Sequence, residues 1–249
     1  MSQQILGNSS QEEFEYYKNL SFELKFDYGG SEDWRDYWNL DGKRANIQNG
    51  SDGMVFAAGP TAMDHACHAV LWTKESYSGN LKVKFGMTRL DTVNRYVNIL
   101  YLHAQGIGGE YPSDIHKWSE KREIPYMKTY FEKMNLLHTS FAAFGSENDK
   151  DDNYIRVRKY PVTPEKSFDQ IEVEPTLQNT PFFAPGIRHQ LFFVKTIDRL
   201  ALSIESEVGV MYHLWDTTHV APPTSGPVGI RHMFAKCSKY HDFKIYSEE

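Results

Sequence analysis

"HTSFAAFGSENDKDDNYIRVRKYP", residues 138–161, places two alternating runs on either side of an acidic loop. In the first run His138 and Ser140 share one parity against Thr139 and Phe141. In the second, Tyr154, Arg156, Arg158 and Tyr160 alternate with Ile155 and Val157. Successive side chains of a strand point to opposite faces, so this period of two reads as a pair of half-buried strands joined by a loop.

The same period recurs outward in both directions. "SFELKFDY" (21–28) alternates Phe22, Leu24 and Phe26 with Glu23, Lys25 and Asp27. "ANIQNGSDGMVFAAGP" (45–60) reads as two short strands around an Asn-Gly and Asp-Gly turn, where glycine supplies the positive φ of a hairpin. "HACHAVLWTK" (65–74), "SGNLKVKFGMTRLD" (78–91) and "RYVNILYLHAQG" (95–106) are further β-rich runs. "HQLFFVKTIDRLALSIES" (189–206) predicts a hairpin turning near Ile197–Arg199, "EVGVMYHLWD" (207–216) a strand, and "GPVGIRHMFAKCSKYHDFKIYSEE" (226–249) a final β pair.

Two stretches break the pattern. "SDIHKWSEKREIPYMKTYFEKM" (113–134) is charged, has helical spacing in parts, opens on a Ser113-Asp114 cap signal and is interrupted by Pro125. It predicts a short helical or loop insertion over about 106–135. Residues 162–185 lack periodicity and read as a long irregular loop. Many short strands with one helical excursion predict an all-β antiparallel β-sandwich, a concanavalin-like jelly roll of one domain over 1–249 with its core from about residue 21. Such a sandwich leaves one concave face open to a ligand.

A formal net charge of -6 argues against a nucleic-acid surface, because phosphate binding needs clustered cations. Cys67 and Cys237 are too few for a disulfide framework. No run of residues is long and apolar enough for a membrane span, and the N-terminal stretch lacks a secretion signal. The expectation is a cytoplasmic protein, or a periplasmic one whose leader has been removed.

The face of Tyr154, Arg156 and Arg158 has two readings. It is either a solvated surface whose arginines pair with Asp149, Asp151 and Asp152, or a cradle for carboxylate or sulfate, whose geometry the planar guanidinium fork matches. Tyr101, His103 and Gln105 share a predicted strand face, and Tyr with His is a chemistry suited to proton transfer. In "HACH", His65 and Cys67 would share a strand face with His68 opposed, and no second cluster completes a metal site, so no metal and no cofactor are expected. "GIGG" (106–109) lacks dinucleotide-loop spacing, there is no GxSxG elbow, and no paired-carboxylate pattern marks a glycoside hydrolase.

At "HAVLWTKESYSGNLKVKF" (68–85), "LLHTSFAAFG" (136–145), "YIRVRKYP" (154–161) and "VGIRHMFAKCSKYHDFKIY" (228–246) the chain resembles the YesU-like family. His138, Ser140 and Phe141 match that family's His-x-Ser-Tyr/Phe strand, and Arg158 and Lys159 its Arg-Lys strand. The likeness runs from about Ser21 onward. It implies a galectin-like, concanavalin-type jelly roll and a role in breaking down uronate-containing polysaccharides such as rhamnogalacturonan or ulvan. One activity it implies is an oligosaccharide dehydratase that removes water from a non-reducing-end uronate to leave a 4,5-unsaturated sugar. The acidic loop, Asn153 and the insertion around Trp118 depart from the pectin-type pattern, which leaves the sugar open.

Such an elimination needs a base for the C5 proton, a cation for the enolate growing on the carboxylate, and an acid for the departing 4-hydroxyl. His138 is the first candidate for base or acid, with Tyr101, His103 and Tyr154 for the complementary transfer. Arg156, Arg158 and Lys159 are candidates to neutralise the carboxylate, although Lys159 needs a bulge to join Arg158. His68, His213 and His232 could complete the face, with Trp118 or Trp215 as a sugar platform. The ligand expected is an acidic oligosaccharide. The competing readings are a non-catalytic carbohydrate-binding module or lectin, and a lyase that cuts internal uronate linkages.

Overall fold

The computed structural model describes residues 8–145 and 147–248, and every count below refers to these. Two large antiparallel sheets face each other. One carries eight strands in the order β14 (Gly209–Asp216), β13 (Arg199–Ser206), β12 (Arg188–Lys195), β7 (Leu81–Arg89), β17 (Cys237–Ser247), β4 (Gly53–Ala57) and β3 (Asn46–Gly50), with β1 (Glu23–Tyr28) also paired to β17. The other carries seven: β11 (Glu172–Gln178), β10 (Asn153–Tyr160), β9 (Met134–Phe144), β8 (Asn98–Gly106), β16 (Gly229–His232), β5 (Ala69–Thr73) and β2 (Trp38–Asp41). A two-stranded ribbon joins β6 (Tyr77–Ser78) to β15 (Ser225–Gly226). The architecture is the all-β antiparallel sandwich expected.

Alternation explains the main core. Val83, Phe85 and Met87 of β7 and Leu191 and Phe193 of β12 meet Leu100 and Leu102 of β8, Leu137 and Phe141 of β9, and Ile155 and Val157 of β10 between the sheets. The outer face of the seven-stranded sheet is covered as well. There Trp72, Ile99, Tyr101, Leu136 and Tyr160 pack under Ile115, Trp118 and Tyr130, which come from the charged insertion. That insertion forms a 3-10 stretch (Ile115–Arg122) and a short helix (Met127–Lys133).

Its docking is fixed by a buried carboxylate. Asp41 accepts hydrogen bonds from Trp72 Nε1 at 2.8 Å, Arg122 Nε at 2.6 Å and Tyr130 Oη at 2.8 Å. Three donors on one carboxylate offset the loss of its hydration.

Several expectations are corrected. Ahead of β1, where the sequence marked no element, lies a helix, α1 (Asn8–Lys18), whose Phe14 packs on Val194 and Ala201 of the eight-stranded sheet. The early hairpin turns at Ser51-Asp52, since Gly50 pairs with Gly53. The last two strands do not pair with each other: β16 lies in one sheet and β17 in the other. Residues 162–185 contain an edge strand, β11, hidden in the sequence because Val173 is its only fully buried side chain and Pro175 interrupts it.

Candidate functional site

β9 and β10 lie side by side with Arg158 opposite His138 and Arg156 opposite Ser140. Since Ile155 and Val157 turn into the core, Tyr154, Arg156, Arg158, His138 and Ser140 all turn to the outer face. There they line a cavity of about 290 Å³ whose remaining walls include Tyr96, Phe144, Phe168, Met127 and Met233. The strand pattern that suggested a shared face is therefore real across two strands, and the cavity is mostly apolar with a few convergent polar groups, the usual make-up of a small-molecule site.

His138 is buried, and both ring nitrogens are engaged. Nδ1 lies 2.6 Å from Tyr160 Oη and Nε2 lies 2.7 Å from Ser140 Oγ. Burial, then the charges of Arg158, Arg231 and Arg156, hold the imidazole well below its ordinary pKa, so it is neutral. Burial holds the Tyr160 phenol well above its own, so it keeps its proton. A neutral imidazole between a protonated phenol and a serine hydroxyl completes a Tyr160–His138–Ser140 hydrogen-bonded chain that ends at the cavity wall.

The arginines are partly paired, but not with the acidic loop. Glu172, opposite Arg158 on β11, places Oε2 3.0 Å from Arg156 Nε and 3.4 Å from the Arg158 guanidinium. Thr176 Oγ1 donates to the other oxygen of Glu172 and accepts from Arg156 Nε at 2.9 Å. Arg158 stacks 4.2 Å from the centre of the Phe168 ring and Arg156 4.5 Å from that of Tyr154. Arg158 Nε has no hydrogen-bond partner although it is buried.

Tyr101 sits beside this group without reaching the cavity. Its ring lies edge-on to His138 at 5.8 Å and nearly parallel to Trp72 at 5.4 Å and Tyr130 at 6.0 Å. Burial pushes its hydroxyl up to about 12 against the opposing pull of Arg231.

Seven expected residues lie elsewhere. A bulge between Leu102 and Gln105, with His103 at φ 53°, turns His103 out of register with Tyr101, and its Nδ1 meets Pro223 O at 3.1 Å. No bulge separates Arg158 from Lys159, so Lys159 faces the other way and donates to Asn135 Oδ1 at 2.6 Å. His232 alternates with Arg231 and points between the sheets, stacked on Phe56 and 2.8 Å from Tyr240 Oη. His213 and Trp215 belong to the eight-stranded sheet, where they pack on each other and the indole donates to Pro175 O at 2.8 Å. Trp118 is buried by the insertion and donates to Pro112 O at 3.0 Å.

His68 follows a 3-10 turn, His65–Cys67, rather than a strand. That turn brings His65 Nδ1 to 3.4 Å from His68 Nε2 instead of opposing them. Phe234 packs on His68, which burial pulls down to about 2. Among the described residues no group of three or more His, Cys, Asp and Glu converges as metal ligands would, and both cysteines are free.

The sequence missed Glu172, Phe168, Phe144, Tyr96, Met127 and Met233. Glu172 sat in a stretch without period; Tyr96, Phe168 and Met233 come from loops and Met127 from the insertion, where no alternation marks them, and Phe144 closes β9.

No family model and no curated protein matches the chain. Solved structures do. A Bacillus subtilis protein of unknown function with a galectin-like fold matches at TM-score 0.67 and 17% identity, over 90% of this chain and 96% of that one. Peanut lectin matches at TM-score 0.57 and 8% identity, over 90% and 97%. Basic winged bean lectin matches at TM-score 0.57 and 9% identity, over 89% and 96%. At such identities the likeness is one of fold: this chain has a galectin-like, lectin-type jelly roll.

Proposed function

We propose that the protein recognises an acidic saccharide, with a uronate carboxylate on Arg156 and Arg158 and the sugar ring against Tyr96, Phe144 and Phe168. One observation carries this reading: two guanidinium groups at the cavity share a single carboxylate, Glu172, and so keep a surplus of positive charge among aromatic walls. A planar fork suits a carboxylate, and flat rings suit the apolar face of a pyranose. The lectin-type fold supports a saccharide as the ligand class.

A second reading is favoured by the Tyr160–His138–Ser140 chain. A 4-hydroxylated uronate would lose its C5 proton, its 4-hydroxyl would depart as water, and a C4–C5 double bond would form. The arginines would hold the enolate, and the chain would carry protons. In this reading the protein is an oligosaccharide dehydratase acting on ulvan- or rhamnogalacturonan-type ends.

Calorimetric titration with uronate-ended oligosaccharides and their neutral counterparts tests the first reading, and it falls if the neutral sugars bind as tightly. Mass spectrometry of the incubated sugars tests the second: loss of one water without shortening supports the dehydratase. Unsaturated fragments point instead to an internal lyase, and unchanged sugar that still binds leaves recognition alone.

A further inference from the structure

Arg156 and Arg158 carry the only formal charges among the described residues lining the cavity, and Glu172 is bound to both. His138 is neutral, and Tyr154 is held protonated by burial. Lys159, which could have added a cation, is turned away to Asn135. The cavity therefore has room for one compensated negative charge. Glu172 is not a loose surface acid: its side chain is mostly buried, it lies directly across from Arg158, and Thr176 fixes its second oxygen.

Resting on the uronate reading, we propose that Glu172 is a specificity-determining residue that sets the charge of the ligand. With Glu172 in place the cavity takes a singly charged uronate and disfavours a doubly charged sugar, such as one bearing a sulfate beside its carboxylate. The first anionic group satisfies the surplus charge of the two guanidinium groups. A second would find no further cation in the lining and would face the fixed carboxylate across a mostly apolar cavity, where like charges repel more strongly than in water. Replacing Glu172 by a neutral isostere frees the second guanidinium for that group.

The test compares a glucuronate-ended disaccharide with its monosulfated form by calorimetry, on the wild-type chain and on Glu172→Gln. The wild type is expected to favour the unsulfated sugar by about tenfold or more, and Glu172→Gln to raise affinity for the sulfated one by at least about tenfold. Glu174→Gln, which removes an exposed carboxylate from the same strand without touching either arginine, is expected to leave the preference nearly unchanged. A wild-type preference for the sulfated sugar overturns the proposal without need of any variant. So does an unchanged preference in folded Glu172→Gln, or a shift in Glu174→Gln as large as that in Glu172→Gln. If neither sugar binds either protein, the uronate reading falls and this one with it.

Discussion

The Tyr160 hydroxyl lies 2.6 Å from Nδ1 of His138, on a neighbouring strand and beneath the cavity floor. Each group is buried in the protonation state that suits the other: a phenol that keeps its proton and an imidazole that does not acquire one. The pair fixes the imidazole so that its second nitrogen meets Ser140 at the cavity wall. Its consequences for stability and for catalysis can be measured separately.

Tyr160→Phe removes the hydroxyl and leaves a buried ring nitrogen unsatisfied, which costs about 1–3 kcal/mol of stability. Denaturant melts read that loss directly. If the protein is a dehydratase, His138→Ala lowers turnover by about a hundred- to ten-thousandfold while the fold persists. Near-normal turnover in that variant would remove His138 from the chemistry.

Arg158→Lys keeps the charge but loses the fork that meets Glu172 and the plane that lies on Phe168. Affinity for a uronate-ended sugar is expected to fall by roughly ten- to a hundredfold, the range of one or two lost charge-assisted hydrogen bonds. Titration of both proteins with the same oligosaccharide checks it, and equal affinities would show that charge alone suffices.

The tryptophans divide from the aromatic walls. Trp118→Ala and Trp215→Ala open cavities in packed regions and are each expected to cost about 3–5 kcal/mol without a specific loss of binding. Phe168→Ala, at the cavity, should weaken sugar binding more than it lowers the melting temperature. A Trp118→Ala variant that melts like the wild type but loses the sugar would reverse this assignment.

Asp41→Asn leaves Arg122 buried beside a neutral amide, where it had a carboxylate at 2.6 Å. Removing one member of such a pair costs about 3–5 kcal/mol. Because this contact ties the insertion to the sheet, hydrogen exchange should rise first in residues 115–133, and uniform exchange across the chain would contradict a local role.

Stability is expected to increase from pH 5 to pH 8. Burial holds His68 at about 2, and His103 and His232 at about 3, against 6.5 for an ordinary histidine. As pH falls below 6.5 the unfolded chain gains protons that the folded one refuses, so stability is lost at about 1.4 kcal/mol per pH unit for each such histidine. Lys236, pulled down to about 7 from 10.5 by burial, extends the rise above neutrality by the same sign. Thermal melts across this range test the slope, and a higher melting temperature at pH 5 than at pH 8 would contradict it.

The period of two was enough to read most strands, the sandwich class and the shared face of His138, Ser140, Tyr154, Arg156 and Arg158, because alternation is a local property that burial on one side imposes. The sequence by itself also set the chemistry available: cations and an imidazole on adjacent runs of an acidic chain. Only the tertiary structure decided the rest. A single left-handed residue removed His103 from the face of Tyr101, and the absence of a bulge turned Lys159 away. Glu172 reached the arginines because an edge strand with almost no apolar pattern paired with β10. The histidines and tryptophans that looked free for a ligand were claimed by packing, since an indole or imidazole on a strand carries no mark of which sheet will cover it. Neighbours far apart in sequence fix protonation, pairing and access, and those are properties of the assembled sandwich.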